Sequence, residues 1–322
     1  MTISPIKTKL GIQSSMNSEN QEIYLSTDCV IKSKVSLSNG TSYRVGGPAE
    51  WFVSPRNLET LHTSIKFAIE QDLPVTILGA GSNLLVSDAG ITGLVIATRH
   101  LRYSHCDPET GLLTAAAGES IPGLAWEVAK LGCSGFEWAV GIPGTVGGAV
   151  VMNAGAHSAC TADSLVSAEV LLPDGSLKTL TCEELGYSYR TSKLQGSNLV
   201  VTKATFQLQP GADPEQVLAV THQHKQHRLT TQPYDKPSCG SVFRNPKPHF
   251  AGRLIEEAGL KGFQIGGAQV SLRHANFIVN SGGARACDIF NLIRHVQERV
   301  LERWSIDLEP EVKMIGEFQA FC

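Results

Sequence analysis

The sequence predicts an α+β protein in two units, and three features lead there. Strand-like and helix-like stretches alternate irregularly up to about residue 212, a Gln209-Pro210-Gly211-Ala212 break follows, and the remainder reads as a smaller, compact α/β piece. The 322 residues allow two or three domains of ordinary size, and 42% apolar with 18% charged residues is enough to build their cores.

Composition removes several function classes. A net charge of −3 gives no basic field for nucleic acid, so no such partner is expected. No apolar run approaches the roughly 18 residues of a membrane span, so no membrane partner is expected either. The eight cysteines (Cys29, Cys106, Cys133, Cys160, Cys182, Cys239, Cys287 and Cys322) contain no C-x-x-C pair. In a chain this long they read as reduced thiols, and the expected compartment is the cytoplasm.

Residues 1–28 are rich in Ser, Thr, Asn, Gln and Lys and do not form a signal peptide, so a flexible tail is expected. Order is expected from about Cys29. Asn39-Gly40 signals a turn, Thr41 to Ala49 is a glycine-bearing loop, and Glu50 to Val53 reads as a strand. Ser54-Pro55 offers a helix cap, with Leu58, Leu61, Ile65, Ala68 and Ile69 on one stripe. Pro74 to Leu78 is a short buried strand, completing a β-α-β unit, and Gly93 to Ala97 supplies another strand.

The Pro74 strand runs into Gly79-Ala80-Gly81-Ser82-Asn83. Its spacing is neither the dinucleotide fingerprint, since the third glycine is missing and Leu84 to Val86 continues as strand, nor a P-loop. Further on, Leu112 to Ala117 is a strand ending at Gly118-Glu119, and Ile121 to Leu131 is a helix stopped by Gly132. Then comes the stretch Gly141 to Ala156, with five glycines and only Asn153 strongly polar. Backbone N–H groups in such turns make concave anion sites without charged side chains. That stretch alone fits a buried turn equally well. Two such loops in one chain suggest a diphosphate shared between them, and so a dinucleotide cofactor outside the usual fold.

Val166 to Leu172, the turn Pro173-Asp174-Gly175-Ser176 and Leu177 to Leu180 make a hairpin; Thr181-x-x-Glu184 is a capping-box candidate and Leu199 to Leu208 a strand. Asp213-Pro214 caps a helix to about Leu229 carrying His222-x-His224-x-x-His227, whose steps put the rings on diverging faces, against a zinc helix. The stretch Gln232 to Pro246, proline-bounded with Gly240-Ser241 at its centre, reads as a rigid loop presenting a hydroxyl or as an ordinary turn. Neither a G-x-S-x-G elbow nor a base arranged beside Cys239 argues for a hydrolase. Ala251 to Ala258 and Asp288 to Trp304 are helices, the latter with Ile289, Ile293, Val296, Val300 and Trp304 inward, and Ala275 to Asn280 is a strand. Leu308 to Gly316 closes the chain, with Pro310 fixing the direction of Glu311.

Six motifs in order carry a family resemblance: Tyr43-Arg44-Val45-Gly46-Gly47, Gly79 to Asn83, Gly141 to Gly148, Gly186-Tyr187-Ser188-Tyr189-Arg190-x-Ser192, Gly240 to Pro246, and Glu309-Pro310-Glu311-Val312. The chain after its tail resembles the UDP-N-acetylenolpyruvoylglucosamine reductase (MurB) family of flavoenzymes, in its shorter subclass without the tyrosine-bearing loop insertion. The resemblance implies a two-part FAD-binding domain of the vanillyl-alcohol-oxidase (PCMH) type over 29–212 and a smaller α/β substrate-binding domain over 213–322. It implies NADPH as reductant, a UDP-sugar enolpyruvyl ether as substrate, and a place in peptidoglycan precursor synthesis, on which cell-wall biogenesis, cell shape, cell cycle and division depend. A monomer without a metal is expected.

Carried over by motif, Arg190 and Glu311 stabilise an enolate-like intermediate and Ser241 donates the proton. The resemblance implies that FAD is met by Tyr43, Arg44, Gly46, Gly47, Gly79, Ala80, Gly81, Ser82, Asn83, Gly118, Gly141, Ile142, Pro143, Gly144, Thr145, Gly147, Gly148, Asn153, Ala154 and Gly155. Tyr189, Arg190, Ser241 and Asn245 are implied to meet the substrate. The chain departs from the family pattern at His157-Ser158, where Tyr-Gly is usual, and at Arg244, where Lys is common. No His or Cys lies in Gly79 to Asn83, so FAD is expected to be held noncovalently. An FAD-dependent oxidase of a small alcohol or sugar lactone and a non-catalytic nucleotide-binding module remain as alternatives.

Overall fold

Three packed units follow one another along the chain, and the last segment returns to the first. The computed structural model describes residues 14–16 and 21–318. The first unit contains β1 (Ser14–Met16), β2 (Gln21–Ser26), β3 (Cys29–Ser36), β4 (Pro48–Val53), α1 (Leu58–Glu70), β5 (Val75–Leu78), β6 (Leu84–Val86) and β7 (Ile91–Ala97). The second contains β8 (Ser104–Cys106), β9 (Leu112–Ala116), α2 (Ile121–Lys130), α3 (Val146–Met152), β10 (Gly155–Ala156), β11 (Ala159–Cys160), β12 (Leu165–Leu171), β13 (Leu177–Thr181), β14 (Val200–Gln207) and α4 (Pro214–Thr231). The third contains α5 (Ala251–Glu257), β15 (Gln264–Ile265), β16 (Ala268–Val270), β17 (Ile278–Asn280), α6 (Ala286–Trp304) and β18 (Lys313–Ile315).

In the first unit the six strands run in the order β1-β2-β3-β4-β7-β5, with β7 parallel to both neighbours. Leu94, Val95, Ile96 and Ala97 of β7 are all buried. A parallel strand covered on both faces needs this continuous apolar run rather than alternation. The β-α-β reading holds, but β7 lies between β4 and β5. Two details of α1 differ from expectation. Its cap is Asn57, whose side chain accepts from Thr60 N in a reciprocal pair, rather than Ser54. Its buried stripe is Leu61, Ile65 and Ala68, while Leu58 and Ile69 are exposed. Nor does order wait for Cys29: β2 pairs antiparallel with β3, because Ile23 and Leu25 pack on the apolar cluster beneath.

The second unit is an antiparallel sheet, β13-β12-β14-β9-β8, crossed by α2 and α3. Its β12–β13 hairpin closes as turn chemistry requires, with Ser176 N donating to Asp174 Oδ1 and Gly175 at φ 86. Thr181 and Glu184 make the reciprocal capping bonds, but over a turn rather than a helix. Helix α4 packs against α2 and the 3₁₀ turn Glu137–Gly141, with the ring of His222 4.6 Å from that of Trp126. The packing therefore divides after α4, not at residue 212: a largely polar helix finds its apolar contacts on the unit it has just left.

In the third unit α6 lays Ile289, Leu292, Ile293, Val296 and Val300 into a core shared with α5, β16 and β17. Each such side chain contributes about 1.5–3 kcal/mol by leaving water. Among the contacts that tie this unit to the first, two position the site. Asp88 accepts from Ala286 N and Cys287 N at 2.8 and 2.9 Å, holding the start of α6. Parallel to β6 runs β18, register Lys313 to Leu84, which brings the last segment beside the Gly79–Asn83 loop.

Candidate active site

The two glycine loops face each other. Loop 79–83 leaves β5, and loop 141–148 enters α3. An added Cβ at Gly79 would lie 2.7 Å from Thr145 Oγ1, and one at Gly144 would lie 3.4 Å from Ser82 Oγ. Backbone and hydroxyls, not bulk, occupy the gap. Thr145 Oγ1 is buried and has no partner, although Thr145 sits at the position before α3 where its hydroxyl ordinarily caps the helix. The N–H groups of Ala80, Gly81, Ser82 and Asn83 donate to no acceptor among the described residues. An orphaned buried hydroxyl and uncommitted backbone donors are the donor set that a diphosphate satisfies, so these loops fit FAD.

Between and beyond them opens a cleft of about 700 Å³, at the upper end of the roughly 300–1,000 Å³ typical of small-molecule sites. At one side it is walled by Val75 and Ile77, half-exposed on β5 rather than buried as the sequence suggested, and by Leu199. At the other it reaches Tyr189, Arg190, Ser241, Asn245 and Glu311.

Main-chain hydrogen bonds hold these last residues together. Glu311 N donates to Val242 O at 2.7 Å and Arg244 N to Glu309 O at 2.9 Å, zipping loop 240–244 against 309–312. Asn83 Nδ2 donates to Glu311 O at 3.0 Å, and Lys313 N to Asn83 O at 3.0 Å. The first glycine loop thereby carries the segment of Glu311. Buried Asn276 clamps the serine loop, accepting from Phe243 N at 3.0 Å and donating to Phe243 O at 2.8 Å.

Arg190 occupies a left-handed backbone, φ 57, in a tight turn closed by Ser188 and Thr191. Its Nε donates to Glu311 Oε1 at 2.8 Å, Nη2 to Gly155 O at 2.7 Å and Nη1 to Asn153 O at 3.5 Å. The side chains are only 20% and 14% exposed, so this is not a solvated surface pair. Gln195 Nε2 steadies the turn by donating to Arg190 O at 2.9 Å and Val151 O at 3.2 Å. The guanidinium lies 5.0 Å from the centre of the Tyr189 ring, whose phenol is pushed up first by burial and then by Glu311. Burial pushes the Cys239 thiol up to about 12; its sulfur donates to Leu84 O and Gly81 O, so this cysteine packs rather than reacts.

Of the residues implied to meet FAD, the cleft wall takes in Gly79 to Asn83, Ile142 to Thr145, Gly147, Gly148, Ala154 and Gly155. Tyr43, Arg44, Gly46, Gly47, Gly118, Gly141 and Asn153 are not on it. Tyr43 is fully buried in the core of the third unit, and Arg44 lines a separate pocket. A Cβ at Gly46 would lie 2.9 Å from Val86 Cβ, one at Gly47 2.2 Å from Asp88 O, and one at Gly118 2.3 Å from Thr98 O; one at Gly141 would lie 2.0 Å from Arg228 Cδ. These glycines admit neighbouring chain. The Asn153 amide is spent, donating to Ser188 O and accepting from Ala162 N. At the family departure His157-Ser158 both residues are left-handed, and the His157 ring stacks on His224 at 4.0 Å behind the β10–β11 turn. The sequence reading missed Arg228, Gln195, Asn276 and Lys313. Only Lys313, two residues past Glu311 along extended chain, had a positional signal.

Residues 232–315 match the family model described as the UDP-N-acetylenolpyruvoylglucosamine reductase C-terminal domain, and residues 49–181 match an FAD binding domain. Over 322 residues the chain is 69% identical to the UDP-N-acetylenolpyruvoylglucosamine reductase of Nostoc punctiforme, covering 100% of this chain and 97% of that one. A Synechocystis protein of the same description is 59% identical over 295 residues, 91% of this chain and 93% of the other. The crystal structure of the Thermus caldophilus protein of that description superposes with a TM-score of 0.75 at 38% identity, over 88% of this chain and 98% of that one.

Proposed function

Because the chain belongs to the UDP-N-acetylenolpyruvoylglucosamine reductase family, we propose that it reduces the enolpyruvyl group of UDP-N-acetylglucosamine enolpyruvate to give UDP-N-acetylmuramate, at the expense of NADPH. One observation carries the reading: an Arg190–Glu311 pair and the Ser241 loop share a cleft with two glycine loops suited to a diphosphate. Ala80 to Asn83, Gly144, Thr145 and Gly148 would hold FAD, noncovalently, since no His or Cys lies in loop 79–83. Bound there, the flavin would accept hydride from NADPH and give it to the substrate.

The protein's own residues handle charge and proton. Addition of hydride at the β-carbon of the enolpyruvyl group leaves an electron pair shared between the α-carbon and the carboxylate. Arg190, fixed by Gly155 O and Glu311, supplies a preorganised cation beside it; each such donor is typically worth about 2.7–4 kcal/mol in the transition state. The Ser241 hydroxyl gives its proton to the α-carbon. So weak an acid suffices because a carbanion is a far stronger base. Glu311 accepts from Arg190 Nε and so orients the guanidinium.

The test separates the two halves of the turnover. In Ser241→Ala, NADPH should still bleach the flavin, while reoxidation by the enolpyruvyl substrate falls by orders of magnitude. Equal slowing of both halves would make Ser241 structural.

A further inference from the structure

Two guanidinium groups stand on the cleft wall. Arg190 is paired with Glu311, whereas Arg228 has no carboxylate within ion-pairing distance among the described residues. Arg228 lies on the last turn of α4, and its Nε and Nη2 donate to Gln232 Oε1 at 3.3 and 3.2 Å. Its stem is wedged under Gly141, and the Tyr234 hydroxyl donates to the Gly141 carbonyl at 3.0 Å. Burial draws its pKa down. A guanidinium so fixed and partly stripped of water, with the Gln232 amide oxygen and the Tyr234 hydroxyl beside it but no carboxylate, has its charge unmatched until an anion arrives.

On its other side Arg228 faces a smaller pocket of about 380 Å³ that shares Pro143, Arg228 and Gly240 with the cleft. Arg44 and Lys236 also line it. Among the described residues the Arg44 side chain makes no hydrogen bond or ion pair, and its backbone is left-handed at φ 56; Lys236 Nζ meets only Ser281 Oγ, at 3.2 Å. Asp235 is the sole carboxylate on that wall. Three cations against one acid leave an excess that matches a phosphate group.

We propose that this side pocket is a phosphate subsite for a nucleotide co-substrate, with Arg228 at its junction with the cleft and Arg44 and Lys236 on the outer wall. It rests on the reductase reading, in which both co-substrates are anionic nucleotides. The phosphate is either the 2′-phosphate of NADPH or the diphosphate of the UDP-sugar.

Flavin-loaded Arg44→Ala, Lys236→Ala and Arg228→Gln separate the two sources through the half-reactions. Losing one charge-assisted bond of about 1.5–3 kcal/mol raises a binding constant roughly 10- to 150-fold. A 2′-phosphate in the pocket predicts that rise for flavin reduction by NADPH, none for NADH, and unchanged reoxidation by the UDP-sugar. A diphosphate predicts weaker UDP-sugar binding in reoxidation with NADPH reduction unchanged. Arg44 and Lys236 lie towards solvent, so their variants keep the question open should Arg228→Gln misfold. If Arg44→Ala and Lys236→Ala leave both constants within about twofold, or if Arg44→Ala sheds flavin at unchanged constants, the proposal is overturned. Failure of the parent enzyme to be reduced by NADPH or reoxidised by the UDP-sugar would instead sink the reductase reading.

Discussion

Replacing Thr145 by valine should move stability and cofactor affinity in opposite directions. Thr145 is 6% exposed, its hydroxyl has no partner, and it makes no capping bond to α3. A buried unsatisfied hydroxyl costs about 1–3 kcal/mol, so removing it at nearly constant shape should stabilise the flavin-free protein by up to that amount. At roughly 2–4 °C per kcal/mol for a large domain, the melting temperature of apoprotein should rise by several degrees. The same hydroxyl should donate to the cofactor diphosphate in the loaded protein. Losing a bond to a charged acceptor, about 1.5–3 kcal/mol, should weaken FAD roughly 10- to 150-fold. Flavin-stripped protein is melted by calorimetry and titrated with FAD by fluorescence quenching, with Thr145→Ser as the control that keeps the hydroxyl. A destabilised apoprotein, or unchanged FAD affinity, would refute the assignment of Thr145 to the diphosphate.

Other substitutions test the rest of the site. Arg190→Lys keeps the charge but gives up the fork that bridges Glu311 and Gly155 O; stopped-flow reoxidation by the enolpyruvyl substrate should fall about 100-fold or more while reduction by NADPH changes little. Asn276→Ala removes both bonds to Phe243, and denaturant unfolding should show a loss of about 2–4 kcal/mol. With the Cys239 thiol at about 12, only about one in ten thousand is thiolate at pH 8, so peptide mapping after native iodoacetamide treatment should find Cys239 unmodified while half-buried Cys160 and Cys182 are labelled. Protein unfolded in denaturant should lose that distinction.

Local chemistry was readable where a residue's role is decided by its neighbours in the chain. The Asp174-Gly175 turn, the Asp213-Pro214 cap and the α6 stripe form as their spacing demands. Glycine was less informative, because the same absence of a Cβ serves two ends. Gly79 and Gly144 face side-chain hydroxyls of the opposite glycine loop on the cleft wall, whereas Gly47 and Gly118 face backbone carbonyls of distant segments. Nothing in the flanking residues distinguishes the two cases. Arg228 was hidden for a related reason. It belongs to a helix whose polar residues are spread around it, and its importance comes from Gly141 and Tyr234, which tertiary packing brings over it.

The site also depends on closure between ends of the chain. Asn83 and Glu311 are joined by a hydrogen bond across 228 positions, through the parallel pairing of β6 with β18. Loop 79–83 therefore does two jobs: its outward donors are left for a ligand, while its last residue holds the acid that orients Arg190. Arg190 in turn reaches back to the β10–β11 turn on the second unit. Glu311 and Arg190 come from different units, so the pair forms only when both cores are complete and docked. Loosening the β6–β18 register should then disturb the glycine-loop donors and the Arg190–Glu311 pair together, whereas truncating Ser241 should touch only the proton delivery proposed for it. That difference follows from where the backbone bonds run.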